Sequence, residues 1–249
     1  MWEETSLVER NGPRKPLSRP EVLDLLGEGV DLSGANLAGI SLVGLDLSGA
    51  RLRGADLTDA DLSRANLAGA VLQEARLSRA CLNLANLADA DLRQGHLERA
   101  ALQEADLRRA KLLWVDLRAA DLRLANLTQA DLRGARLSNA DFRHAILSEA
   151  NLSEALLWDT RLEKAILQDA RLVGADMSRA HLAGAILWHA DLTGANVLNV
   201  DFSDVDLRQT TITHDQLLRA ASLNGTQFVG DQSLRLRLLR GLGRGKRKE

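Results

Sequence analysis

The sequence predicts an all-β solenoid, and three observations carry that expectation. Apolar residues recur every five positions from Leu32 to Ile212, 37 times without one insertion. Two residues before each of these centres stands a small or aliphatic residue, Ala in 28 of the 37 units. No charged residue enters either column, although charged residues make up 27% of the chain. A helix brings residues three and four apart onto one face and a strand those two apart, so a strict five fits neither alone. Within one unit, however, Ala130 and Leu132 are two apart, as on the inward face of a short extended step. The other three residues must then turn a corner. Self-similarity at a short fixed spacing is the mark of stacked repeats.

Leu holds 32 of the centres, and Phe142, Met177, Val197, Phe202 and Ile212 hold the rest. The small column departs from Ala at Val30, Ile40, Leu45, Gly95, Val115, Thr160, Val200, Val205 and Thr210. One large and one small inward residue per step predict a lumen filled by the chain's own side chains. Gly recurs two residues after a centre, as at Gly39, Gly54 and Gly134, where a bend with φ > 0 suits it.

At Ala35-Asn36-Leu37, Ala55-Asp56-Leu57, Ala105-Asp106-Leu107 and Ala190-Asp191-Leu192 the chain resembles the pentapeptide-repeat family, whose motif is Ala-(Asp/Asn)-Leu-x-x. The resemblance covers about three quarters of the chain. It implies a right-handed quadrilateral β-helix with four units per coil, hence about nine coils for the 37 units. At ~4.8 Å between stacked strands such a rod is roughly 43 Å long.

A stacked rod has two raw ends, which need covering. Residues 1–29 are read as an N-terminal segment and helical cap, 30–212 as the repeats, and 213–249 as a C-terminal helical cap with a basic tail. Ser18 and Glu21 fit a capping box, with Leu23 and Leu26 placed to cover the first coil. Thr213 and Gln216 fit a second one. Leu217, Leu218, Leu223 and Phe228 are placed to close the far end; Leu217, Leu218 and Phe228 are also the candidate contact of a homodimer, because resistance members of the family pair through their C-terminal ends.

The chain has no long apolar run and no signal-peptide pattern, so a soluble cytoplasmic protein is expected. The one cysteine, Cys81, permits no internal disulfide and suits a reducing compartment. Net charge is −2 overall, but residues 30–212 carry 25 acids and 20 bases, and residues 213–249 carry 3 acids and 8 bases. The basic tail includes Arg235, Arg237, Arg240, Arg244, Lys246, Arg247 and Lys248 around an apolar stripe, a pattern suited to anionic membrane, nucleic acid or acidic protein.

Nothing in the sequence points to catalysis. His96, His144, His181, His189 and His214 make no metal-ligand spacing, and no Cys-x-x-Cys exists. The many Asp residues before centres are placed by the repeat, and no pair is distinguished by spacing. No catalytic, cofactor or metal site is assigned, and a rod filled with its own Leu leaves no substrate cavity. Function is therefore expected on the outer walls. Ile146, Ile166 and Ile186 recur at twenty-residue spacing with Trp188 beside the last; Leu113 with Trp114, and Leu156 with Trp158, are further outward apolar pairs. These eight residues are the candidate partner surface.

Two function classes follow. One is a non-enzymatic binding or scaffold protein acting through its walls on an unidentified protein partner. The other comes from the resemblance: some members bind DNA gyrase or topoisomerase IV and protect them from quinolones or other poisons. The implied mechanism is imitation of DNA, with carboxylates standing where phosphates would lie. Asp191, Asp201, Asp204 and Asp206 are the candidates for that role, with Asp56, Asp59 and Asp61 nearer the start. Bases on the walls, such as Arg53, Arg93 and Arg133, dilute such a potential, and no loop interrupts the repeats.

Overall fold

A computed structural model describes residues 16–228. The basic-tail residues from Arg235 to Lys248 lie outside the described residues. Thirty consecutive parallel bridges, from Asn36 with Asp56 to His181 with Asp201, each join a residue to the one twenty positions later. The chain therefore winds in coils of twenty residues, four five-residue units to each. No strand longer than a single bridge occurs among the described residues, because each unit bends after its extended step.

The five-residue step follows from where the backbone N–H groups go. In the unit around Leu57, the Leu57 N–H donates to Arg76 O in the next coil at 2.7 Å. The Asp59 N–H donates to Ser78 O at 3.1 Å, and the Asp56 N–H donates to Ala35 O in the previous coil at 2.9 Å. The Ala60 N–H closes the bend onto Leu57 O at 3.0 Å. The fifth donor, the N–H of Thr58, is met by the Asp56 Oδ1 at 3.1 Å. Asp or Asn before the centre is thus the residue that completes the pairing of its own unit. The same side-chain bond recurs from Ala38 to Asn36, from Ser63 to Asp61 and from Thr128 to Asn126.

The bend places the second residue after each centre in the left-handed region. Gly occupies some of these positions, but 25 non-Gly residues from Asp59 to Asp204 do so as well, with φ between 53° and 62°. An isolated left-handed residue of this kind costs on the order of 1–2 kcal/mol. Inter-coil hydrogen bonds such as the one from Asp59 hold it in place.

Every centre from Leu32 to Leu207 is buried, none more than 2% exposed. Each buried Leu stabilises the stack by roughly 1.5–3 kcal/mol. Thr160 stands fully buried in the Ala column and is satisfied there, its hydroxyl donating to Leu137 O at 2.9 Å.

Helix α1, Arg19–Gly27, covers the first coil. Its capping box forms between Ser18 and Glu21. The Leu17 N–H donates to Asn36 O at 2.9 Å, and the Arg19 guanidinium donates to Ser41 O at 2.9 Å. The inward face consists of Val22, Leu25 and Leu26. The expectation for Leu23 is corrected here: it is 43% exposed, because Val22, Leu25 and Leu26 share a helical stripe that Leu23 falls outside.

The far end departs from the repeat. After His181 with Asp201, three successive links fail to form: Ile186 with Asp206, Asp191 with Thr211, and Asn196 with the unit that follows. Helix α2, His214–Leu217, occupies that side, with its capping box between Thr213 and Gln216. Side chains replace part of the lost ladder. The Leu192 N–H donates to Thr211 Oγ1 at 2.8 Å, and Gln216 Nε2 donates to Leu192 O and Ala195 O at 3.0 and 2.8 Å. The helical turn adds one residue to the coil, so bridges resume at a spacing of twenty-one, Asp201 with Ser222 and Asp206 with Gln227. Leu217 and Leu223 are buried, Phe228 packs against the core, and Leu218 is 45% exposed.

Two measurements check this account. Asp56→Ala is expected to cost about 1 kcal/mol in urea unfolding by orphaning the Thr58 N–H, while Asp56→Asn, which keeps an acceptor, costs less than about half of that. In hydrogen exchange, the Leu187 amide is expected to exchange at least about tenfold faster than the Leu167 amide, which donates to Ile186 O at 2.7 Å.

Candidate functional site on the outer walls

Centres twenty apart share a wall, so the four walls are named here by Leu112, Leu117, Leu122 and Leu127. Ile146, Ile166 and Ile186 bridge one another in sequence on the Leu127 wall. Ile186 and Trp188 are 38% and 50% exposed and form the end of that column. Leu156 and Trp158 are exposed on the Leu117 wall, where the Arg179 guanidinium stands 5.2 Å from the Trp158 ring centroid. That contact is a cation–π pair, and Arg179 also pairs with Asp159 at 2.9 Å. Trp114, 59% exposed, lies on the Leu112 wall, with Leu113 half-buried beside it. The Ile column and Trp188 thus come together. The other pairs stand on separate walls and make no common patch.

Further exposed apolar residues escape the sequence reading. Leu84 and Leu124 both sit on the Leu122 wall, two coils apart, at the second position after a centre. Leu198 sits on the Leu117 wall. A large apolar residue at a bend position is a visible departure from the repeat, so Leu84 and Leu124 were readable in principle.

The acids are distributed in the same scattered way. Asp191 lies on the Leu112 wall, Asp201 and Asp204 on the Leu122 wall, and Asp206 on the Leu127 wall. Three of them are engaged. Asp191 accepts from the Thr193 N–H and hydroxyl and from the Thr211 hydroxyl, and these bonds, Thr193 first, hold its carboxyl below the usual range. Asp201 accepts from Ser203, and Asp206 is paired with Arg208 at 2.7 Å, which lowers its carboxyl too.

Asp206 and Arg208 belong to a recurring device, Asp before a centre and Arg after it. Asp91–Arg93, Asp106–Arg108, Asp116–Arg118, Asp121–Arg123, Asp131–Arg133 and Asp141–Arg143 pair in the same way, at 2.5–2.8 Å. Asp116 is the most enclosed, 6% exposed. Burial pushes its carboxyl upward, but the bonds from Arg118 outweigh that and hold it below the ordinary value.

Counted by wall over the repeats, the Leu112 and Leu117 walls each carry six acids and six bases. The Leu122 wall carries seven and five, and the Leu127 wall six and three. No wall exceeds a net charge of −3.

The family model of pentapeptide repeats matches the chain in eight copies, in overlapping windows from 28–64 to 170–209. The chain is a pentapeptide-repeat protein. HetL from the cyanobacterium Nostoc sp. strain PCC 7120, a pentapeptide repeat protein involved in heterocyst differentiation regulation, is similar at 31% identity. That match covers 85% of this chain and 94% of HetL, with a TM-score of 0.53. QnrB1, a plasmid-mediated fluoroquinolone resistance protein, matches over 84% of this chain and 100% of its own, at 18% identity and a TM-score of 0.56. At that identity the likeness is one of fold. No curated protein sequence matches the chain.

In this pentapeptide-repeat protein the Asp–Arg pairs are stabilising in a pH-dependent way. Arg118→Ala is expected to lower stability by about 1–2 kcal/mol at pH 7, by leaving the enclosed Asp116 carboxylate with only the backbone N–H of position 118 at 3.2 Å and the more distant Arg136 at 3.7 Å. The folded carboxyl titrates below its unfolded value of about 3.9. The stabilisation is therefore full above that value and lost as pH falls through the lower folded value. Urea unfolding from pH 7 down to about pH 2 reads it as a gap between parent and variant that closes below about pH 4.

Proposed function

We propose that the protein is a non-enzymatic binding or scaffold protein, built as a right-handed quadrilateral β-helix, that engages a protein partner through its outer walls. The observation that carries this reading is the filled interior. Every centre from Leu32 to Leu207 turns inward and is at most 2% exposed, so the exterior is what remains to act. Exposed tryptophans on three walls, Trp114, Trp158 and Trp188, fit that role, since aromatic residues anchor interfaces out of proportion to their number.

Gyrase or topoisomerase IV modulation by DNA imitation is the weaker reading. A duplex presents one phosphate charge per ~1.7 Å of axis. Two of the walls here balance acids and bases and no wall exceeds a net charge of −3, and the candidate acids are spread over three of them, with Asp191, Asp201 and Asp206 each already bonded. Gyrase supercoiling with and without a fluoroquinolone is expected to be unaffected by the purified protein; inhibition or protection at micromolar protein reverses the order of the two readings. Self-association through the C-terminal end rests on Leu218, exposed beside buried Leu217. If that contact forms, sedimentation separates the parent from Leu218→Asp.

The wall reading is tested by a photo-crosslinking amino acid placed, one variant at a time, at Trp114, Leu124, Trp158 and Ile186, one on each wall. Protein adducts from at least one wall are expected in the native host. The absence of adducts from all four ends the reading.

A further inference from the structure

A depression of about 750 Å³ runs up the corner between the Leu112 and Leu117 walls, lined by residues of four successive coils from Glu74 to Arg136. Gly95 lies in it, in a column that elsewhere is mostly Ala. A methyl added there would stand 3.0 Å from Leu92 O and 3.3 Å from Leu97 Cδ1.

Trp114 borders the depression and is seated by a second glycine. A Cβ on Gly134, one coil later, would fall 2.5 Å from the indole Cδ1 and 2.7 Å from Nε1. The indole therefore lies against the Gly134 bend, and a side chain there would displace it. The result is a fixed aromatic surface, 59% exposed and open towards the depression.

The charges around it are not equally occupied. Glu74 is taken by Arg53 at 2.6 Å, and Asp116 by Arg118 at 2.7 Å. Glu98 accepts from Ser78 at 2.9 Å and also faces Arg118. The two lining guanidiniums are held loosely: Arg76 reaches Asp56 at 4.0 Å and Arg136 reaches Asp116 at 3.7 Å. Their side chains are 64% and 61% exposed. The acids are spent inside the protein, while Arg76 and Arg136 keep donors for an outside anion.

Arg76 and Arg136 stand three coils apart, about 14 Å at ~4.8 Å per coil. In an extended peptide, side chains on one face recur every second residue, so positions four apart are separated by the same ~14 Å. We propose that this corner binds an extended acidic segment of a partner protein. One carboxylate lies on Arg76, a second four residues on lies on Arg136, and an apolar or aromatic side chain between them reaches towards Trp114, whose indole lies between the levels of Asp116 and Arg136. The proposal rests on the wall-binding reading and names the partner's chemistry at one site.

The probe is the capped peptide Glu-Ser-Phe-Ser-Glu, titrated at low salt into the full-length protein and followed by tryptophan fluorescence and amide chemical shifts. Saturable binding is expected, with shifts around His96 and Trp114, weakening as salt is added. The double variant Arg76→Ser/Arg136→Ser, both at exposed positions, is expected to bind about tenfold more weakly while melting like the parent. Lys-Ser-Phe-Ser-Lys is expected not to bind. Equal affinity for the two peptides, unchanged affinity in the double variant, or shifts confined to another wall overturns the proposal. A failed titration with crosslinks at Leu124, Trp158 or Ile186 removes this site alone; absence of crosslinks on every wall removes the reading beneath it.

Discussion

The fold depends on one constraint: each five-residue unit must place five backbone N–H groups without a continuous strand. Two go to the next coil, one to the previous coil, one closes the bend, and the last is taken by the residue before the centre where that residue is Asp or Asn, as Asp56 does for Thr58. A donor left unmade away from water costs on the order of 1–3 kcal/mol, so an acceptor beside the bend stabilises each unit that carries one, while units with Val71, Ala101 or Ile166 there keep their inter-coil bonds without it. This is why Asp and Asn recur before the centres. They are acceptors for their own backbone first and wall charges second. Reading them as a ready-made row of phosphates reverses that order.

The same constraint explains the tolerance of the outside. Once the inter-coil bonds and the aliphatic column set the path, the left-handed bend accepts Arg, Glu, Leu and even Trp at φ near 60°. The walls are then free to vary, and much of their variation is self-cancelling. Arg placed two residues after Asp folds back onto it, as in Asp121 with Arg123 and Asp131 with Arg133. Such pairs, with their guanidiniums in solvent, contribute less to stability than the enclosed Asp116–Arg118 pair, but they neutralise the wall locally. A surface rich in charge is thereby left with little long-range field.

The period, the two inward columns and both capping boxes were legible in the sequence because each rests on neighbours close along the chain. The lid of α1 was legible as a helix but not in its facing: Val22 rather than Leu23 turns inward, which depends on how the helix lies on the first coil. The missing link between Ile186 and Asp206 was not legible. Ala185-Ile186-Leu187 reads like any intact unit, and the break shows only in the coil that faces it, beside which helix α2 lengthens the next turn to twenty-one residues. The seat of Trp114 was hidden for a related reason. Gly134 is an ordinary bend glycine until the coil length makes it the neighbour of a residue twenty positions earlier.

Recognition by a repeat has to be written in its exceptions. Thirty near-identical steps give a partner no register, since shifting it by one coil, about 4.8 Å, meets much the same backbone and the same inward column. Gly95 in the Ala column, Gly134 under an indole, the Ile run that ends at Trp188, and Leu84 and Leu124 at bend positions are features that break this equivalence. None of them strengthens the lumen, and a large apolar residue exposed on an outer wall is a feature that needs a reason. Trp114 adds a local conflict, since its left-handed φ of 56° is one that a bulky side chain disfavours. Residues that make the stack no better while singling out one level of it are where a partner's contacts have to fall if it is to bind at a single position along the rod.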